Sequence, residues 1–196
     1  MDKRLILFYR KNAEKYIVSS KIMRMTGQYD FFEKFLPRRF RVLDAGFGSG
    51  RDTLYFLGLG CETFAVDVIP EFFDNLSSIG VKNVYCMDVL ETPYEHFFDA
   101  IWANDFLSMF RLDEYSKVFD RFYDLLADKG YVYISIRSSI KTFMNGDTYG
   151  LSFFEDKEEI AKYIEPKFEV MAMEEFIPEN APLENNIWYQ YVLRKK

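Results

Sequence analysis

The stretch Val42-Leu43-Asp44-Ala45-Gly46-Phe47-Gly48-Ser49-Gly50-Arg51-Asp52-Thr53 decides the fold. An apolar run over 40–45 reads as a buried strand, with Asp44 near its end. Three glycines follow at alternate positions, and a helix opens at Arg51. Glycine reaches positive φ and lets a ligand approach the backbone closely. A helix start presents N–H groups and the positive end of its dipole, which favours an anionic group. A dinucleotide site would need the pattern G-x-G-x-x-G, with its third glycine at position 51. Arg51 stands there and Gly50 comes one place early, so a nicotinamide site is disfavoured.

Outward from this turn, short apolar runs alternate with amphipathic stretches. The pattern predicts strands over 40–45, 63–67, 84–87, 98–104 and 131–136, and helices over 51–59, 70–79, 112–127 and 157–164. Strands and helices in alternation imply a parallel sheet covered on both faces. The end of the chain differs. Residues 168–176 and 187–193 are strand-like with no helix between them, and their connection holds two prolines and paired asparagines. A long hairpin is expected there, with its two strands antiparallel. Residues 5–36 lack a strand pattern and suggest one or two helices, ended by Pro37.

Acidic residues mark the strand ends. Asp67 closes the second strand about 20 residues after the glycines, where a carboxylate can accept both ribose hydroxyls. Asp88 closes the third, placed either for an exocyclic amine or as the cap of a turn. The fourth ends in Asn104-Asp105, and groups at the carboxyl end of such a strand face the reacting centre.

The composition suits one packed domain: 196 residues, 49% hydrophobic and 29% charged. Net charge is −6, unevenly spread. Residues 1–41 hold eleven Lys/Arg against four Asp/Glu, while the remaining 155 hold fourteen against twenty-seven. The acidic body argues against a nucleic-acid partner. No apolar run reaches the roughly 18 residues of a membrane span, and the five apolar residues after Arg4 fall short of a signal peptide, whose core needs about 7–15. The expected location is cytoplasmic. Cys61 and Cys86 are too far offset on their strands for a disulfide, and both are expected to be buried and reduced. With His96 as the only histidine, no metal site is expected.

In these ordered signals the chain resembles the class I S-adenosylmethionine (SAM)-dependent methyltransferases, from about residue 12 to 194. It is closest to the small-molecule branch whose loop continues Gly-Ser-Gly-Arg-Asp and whose fourth and final strands read like Phe98–Ala103 and Trp188–Arg194. The resemblance implies a Rossmann-like, seven-stranded, mostly parallel sheet with helices on both faces and only the last strand antiparallel. It implies one domain over 1–196, with an N-terminal helical cap over 1–37 and a SAM-binding core over 38–196. Asp44, Gly46, Gly48, Gly50 and Arg51 would hold the methionine part, Asp67 and Val68 the ribose, and Asp88 and Val89 the adenine, with Asn104 beside them. Two positions depart from the branch: Met109, where many relatives place histidine, and Leu183, where several carry arginine. Both bear on the acceptor rather than the cofactor.

Methyl transfer from a sulfonium is an in-line displacement that needs orientation, and a base only where the acceptor must lose a proton. Asp105, Tyr9 and Tyr16 are the candidates. Tyr9 and Tyr16 are seven apart and share a helix face, so the basic N-terminal segment is expected to form a lid. Its charge points to an anionic or electron-rich small acceptor, and Arg137 is placed to bind an acidic one. The rival readings are a SAM-binding protein without catalysis and a nicotinamide-dependent oxidoreductase.

Overall fold

Each apolar run expected as a strand forms one. The computed structural model describes residues 1–137, 143–145, 148–150, 157–177 and 187–196. Its strands are β1 (Arg41–Ala45), β2 (Glu62–Asp67), β3 (Val84–Cys86), β4 (Phe98–Asn104), β5 (Leu126–Arg137), β6 (Phe143–Asn145), β7 (Thr148–Gly150), β8 (Phe168–Phe176) and β9 (Trp188–Lys195). β6 and β7 pair as a separate antiparallel hairpin. The other seven form one sheet in the order β3-β2-β1-β4-β5-β9-β8.

β1 pairs in parallel with both β2 and β4, so that Asp44 lies opposite Ala65 on one side and Trp102 on the other. The chain leaves β1 outward through β2 and β3, then returns to fill the other side with β4 and β5. That reversal opens a crevice at the carboxyl ends of β1 and β4, the usual ligand position in such sheets. β9 inserts between β5 and β8 and runs antiparallel to both. The expected hairpin pairing of the last two strands is therefore present, while residues 178–186 of its connection, including Leu183, lie outside the described residues.

The strands are buried on both faces. Val42 packs with Ala100, Trp102 and Tyr133 on one side, and its neighbour Leu43 packs with Ile101 and Ile134 on the other. Helices α2 (Thr26–Glu33), α3 (Arg51–Gly58) and α4 (Pro70–Ser77) cover the first face, and α5 (Tyr115–Leu125) with α6 (Lys157–Ile164) covers the second. One expected helix ends early. The 112–127 segment splits into a short 3₁₀ turn over Leu112–Glu114 and then α5, because Leu126 turns extended (φ −77°, ψ 137°) and pairs with Phe98. Lys129, at φ 60°, then helps bend the chain into the main run of β5.

The N-terminal segment forms two helices. The first, α1 (Lys3–Lys21), is capped by the Asp2 side chain on the Arg4 N–H. Ile6, Tyr9, Ala13, Tyr16 and Ile17 recur at helical spacing and pack with Phe72 and Leu76 of α4. Its opposite face, with Leu7 and Val18, stays exposed.

A charged knot ties the cap to the sheet. Asp52 is buried and accepts from the Tyr29 hydroxyl (2.5 Å), the Trp102 indole N–H (2.9 Å) and both sides of the Arg51 guanidinium (2.6 and 2.9 Å). Arg51 also donates to the Ser20 carbonyl near the end of α1 (3.3 Å). One carboxylate thus links α2, α3 and β4 directly and α1 through Arg51. A buried charge is tolerable when it is paired and hydrogen-bonded this fully.

The sheet ends in two unlike edges. β3 is three residues long, and β8 carries a register irregularity between Val170 and Ala172 along with the exposed Glu169, Glu174 and Glu175. Cys61 is buried as expected, but Cys86 is exposed, because it sits at the end of the short edge strand where nothing packs over it.

Candidate active site

The glycine turn is held in a shape that only glycine adopts easily. Gly48 and Gly50 have φ of +51° and +80°. A Cβ at Gly48 would stand 2.9 Å from Tyr16 Cε1, and one at Gly50 would stand 2.5 Å from Leu76 Cδ1. The turn is therefore fixed both by backbone conformation and by the side chains of α1 and α4 pressed against it. Its amides are engaged within the protein. Gly46 N–H donates to the Val66 carbonyl (2.8 Å), Gly50 N–H to the Phe47 carbonyl (2.8 Å), and Gly48 N–H to Asp67 Oδ2 (3.0 Å).

Asp67 joins two turns. While Oδ2 receives the Gly48 N–H, Oδ1 receives the Ile69 N–H (3.0 Å), which fixes the start of α4. A carboxylate offers about four acceptor positions, so two remain for a ligand. Burial pushes Asp67 up to about 6, and the backbone N–H donors oppose that rise.

Above these turns lies a cleft of about 570 Å³, counting the space open to solvent at its mouth. Gly46, Gly48, Asp67, Val68, Met87 and Val89 line one part, and Asn104, Asp105, Phe106, Ser108 and Met109 line another. Tyr9, Tyr16 and Phe72 form its roof, with Tyr9 and Tyr16 in edge-to-face contact at 5.2 Å between ring centres. Burial holds both phenols well above their ordinary range, so they stay protonated.

Nine of the candidate site residues meet in this cleft: Tyr9, Tyr16, Gly46, Gly48, Asp67, Val68, Val89, Asn104 and Asp105. Four others stand behind or beside it. Asp44 is buried under the turn, accepts the Thr53 hydroxyl (2.5 Å), and is lifted well above the usual carboxylate range by burial and by nearby Asp52. Gly50 caps α3 in the left-handed conformation. Arg51 points away into the Asp52 knot. Asp88 uses Oδ1 to cap the 3₁₀ turn over Val89–Glu91 at Leu90 N–H (3.0 Å), while its neighbours Met87 and Val89 form the wall. Arg137 lies over the Trp188 ring, 5.0 Å from its centre.

Sequence reasoning missed Ser135. It is fully buried at the end of β5, opposite Asn104. Its hydroxyl accepts from the Asp105 N–H (2.9 Å) and donates to Asn104 Oδ1 (2.7 Å). A polar residue inside the apolar run Tyr131–Ile136 was the available signal. Ser108 and Met109 also join the wall, from a 3₁₀ turn over Phe106–Met109 that no periodicity announced.

Comparisons with known proteins agree with this geometry. Residues 43–134 match the family described as "Methyltransferase domain". A search of curated protein sequences finds no match. Among solved structures, the chain is similar to the Burkholderia thailandensis 1,6-didemethyltoxoflavin-N1-methyltransferase with bound 1,6-didemethyltoxoflavin and S-adenosylhomocysteine. That likeness has a TM-score of 0.72 and 26% identity over 88% of this chain and 78% of the other. A SAM-dependent methyltransferase from Methanosarcina mazei superposes at TM-score 0.75, with 14% identity over 85% of this chain and 97% of the other. The N-methyltransferase NodS of Bradyrhizobium japonicum, with S-adenosylhomocysteine, gives TM-score 0.67 and 13% identity over 94% of this chain and 97% of the other. The last two show likeness of fold alone. A glycine turn at a topological switch point, an acidic residue closing the second strand and a matching family profile lead to one conclusion: the chain is a class I SAM-dependent methyltransferase, with S-adenosyl-L-methionine as its cofactor.

Proposed function

We propose that this methyltransferase acts on a small-molecule acceptor enclosed beneath α1, in a single domain made of a cap over 1–37 and a core over 38–196. The observation that carries the proposal is the roof. Tyr9, Tyr16 and Phe72 line the cleft from α1 and α4, so an acceptor beside the cofactor packs against their rings. The Burkholderia thailandensis enzyme, whose structure holds a small-molecule acceptor, supports the reading. A metabolite acceptor and two free cysteines suit a cytoplasmic setting.

The residues present fit the cofactor. Positions 46, 48 and 50 leave no room for a side chain, and the open acceptor positions of Asp67 suit a ribose diol. The apolar walls of Val68, Met87 and Val89 suit a purine face, with Asp88 beside them for its amine. Gly46 and Gly48 border the methionine part. Asp44, Gly50 and Arg51 support it from behind: Asp44 through Thr53, Gly50 as the cap of α3, and Arg51 by holding α1 down. Asn104 closes the reacting end. The cofactor supplies a methyl group on positively charged sulfur, already activated. The protein's part is to orient the acceptor, exclude water beneath α1 and offer the electron-rich rings of Tyr9 and Tyr16 to positive charge.

The test is incubation of the protein with SAM bearing a deuterated methyl group and a metabolite extract, read by mass spectrometry. One small metabolite is expected to gain the label as S-adenosylhomocysteine accumulates. Bound cofactor with no labelled metabolite would instead support a SAM-binding protein without catalysis.

A further inference from the structure

The cleft contains a second carboxylate, set apart from Asp67. Asp105 sits on the β4 side, beyond the glycine turn from Asp67, and faces the space between the roof and the 3₁₀ turn over Phe106–Met109. Its backbone is left-handed (φ 52°, ψ 19°), a conformation uncommon outside glycine, asparagine and aspartate. The surroundings hold it there. The Ser135 hydroxyl accepts its N–H, and the Ser108 hydroxyl donates to its carbonyl (2.6 Å). Its carboxylate forms no ion pair among the described residues. No Lys or Arg side chain lines the cleft among those residues, whereas Asp67 and Asp105 both do.

We infer that Asp105 is the acceptor-recognition residue, and that the acceptor is an uncharged or cationic compound presenting a protic nitrogen, an amine or N–H heterocycle, to its carboxylate. This rests on the proposed small-molecule reading and gives the acceptor's class. A carboxylate on a wall that, among the described residues, holds no Lys or Arg side chain accepts an N–H donor and repels an anion. The balance of the cleft thus outweighs the basic charge of the N-terminal segment, whose Lys and Arg side chains lie off the wall. Protonation chemistry follows the same geometry. An acceptor that arrives as an ammonium first loses a proton to water; the lone pair of the neutral nitrogen then forms the new N–C bond as the S–C bond breaks, sulfur leaves as a neutral thioether, and a proton of the methylated nitrogen passes to Asp105. Burial pushes Asp105 up to about 6, against the pull of Arg137 on β5, so it is ionised yet basic at neutral pH. Among the described residues, the other titratable groups around it are Asp67, the Met1 ammonium, which pairs with Glu114, and Tyr9 and Tyr16 of α1 with Tyr115 of α5, the three phenols held protonated by burial.

The inference is tested by binding. The protein saturated with S-adenosylhomocysteine is titrated with benzylamine and with benzoate, matched in size and opposite in charge, and binding is followed by ligand-observed NMR. Benzylamine is expected to bind, benzoate at least about tenfold more weakly. Asp105→Asn, whose side chain tolerates the left-handed backbone, should weaken benzylamine by about tenfold or more and leave S-adenosylhomocysteine binding unchanged. Asp105→Gly, which also accepts that backbone, serves as the second variant. Benzylamine binding should fade as pH falls through about 6, and that dependence should vanish in both variants. Benzoate binding as tightly as benzylamine, unchanged affinity in both variants, or no binding of either probe to the cofactor-loaded protein would overturn the inference. Failure to bind S-adenosylhomocysteine at all would overturn the cofactor reading instead.

Discussion

Replacing Asp105 by Asn should make the ligand-free protein more stable, by an amount that depends on pH in a defined way. The carboxyl moves from an ordinary 3.8 to about 6 on folding, mainly through burial. The folded state therefore holds its proton over a range where the unfolded state has released it. A raised carboxyl stabilises the fold at low pH and withdraws that stability as pH climbs from about 4 to 6; above the window the penalty is constant. The full shift corresponds to at most ~3 kcal/mol, and the residue's partial exposure reduces this to roughly 1–2 kcal/mol. Asparagine keeps the left-handed backbone and the space but carries no charge. Urea unfolding of both proteins between pH 4 and 8 measures the difference while other titrations cancel. The variant should match wild type near pH 4, gain through pH 6, and lead by about 1–2 kcal/mol above it, or roughly 2–8 °C in Tm for a chain of this length. A variant less stable at pH 8 than at pH 4, relative to wild type, would show that the protein solvates Asp105 well and would refute the reasoning.

Three further outcomes are expected. Asp67→Ala should weaken S-adenosylhomocysteine binding by about 10- to 100-fold, from the loss of charge-assisted hydrogen bonds, with calorimetry as the measure. Because Asp67 also holds the Gly48 and Ile69 amides, stability should fall by about 1 kcal/mol or more as well. Asp52→Ala strands the Arg51 charge and frees Tyr29 and Trp102, so chemical denaturation should show a loss of about 3–5 kcal/mol; a loss under 1 kcal/mol would mean that water reaches the knot. Limited proteolysis between residues 1 and 37 should slow when S-adenosylhomocysteine is bound, if α1 acts as a lid. Equal cleavage rates with and without it would make α1 a fixed part of the wall.

The readable parts of the sequence were those where one physical demand dominates. The glycine turn was legible because positions 48 and 50 need positive φ and have no room for a Cβ. The final antiparallel pair was legible because no helical period separates its strands. The placement of Asp67 and Asp105 in the cleft was legible because the carboxyl ends of parallel strands meet there. Other features depend on pairings distant in the chain. Arg51 follows the glycines directly, yet Asp52 and the Ser20 carbonyl, 31 positions away, turn it from the cleft. Ser135 gains its role from a register that sets it opposite Asn104. β6 and β7, three residues each, are too short to carry a readable alternation. The helix expected to reach 127 stopped at Leu125 because pairing of Leu126 with Phe98 overrode local preference.

The sheet's two edges bear on how the molecule behaves at high concentration. An exposed strand edge is a template for another chain, and proteins guard it by brevity, charge or distortion. β3 offers three residues, too few for a lasting ladder. β8 is nine residues long, but Glu169, Glu174 and Glu175 would face the same charges on a second copy, and the irregularity near Met171 breaks the row of donors and acceptors an incoming strand would need. Stacking sheet against sheet into a continuous ribbon is thus opposed at both ends, and at β8 the opposition is electrostatic. High salt or a pH low enough to neutralise the three glutamates removes that barrier, making acidic, salt-rich buffers the conditions in which this chain should first self-associate.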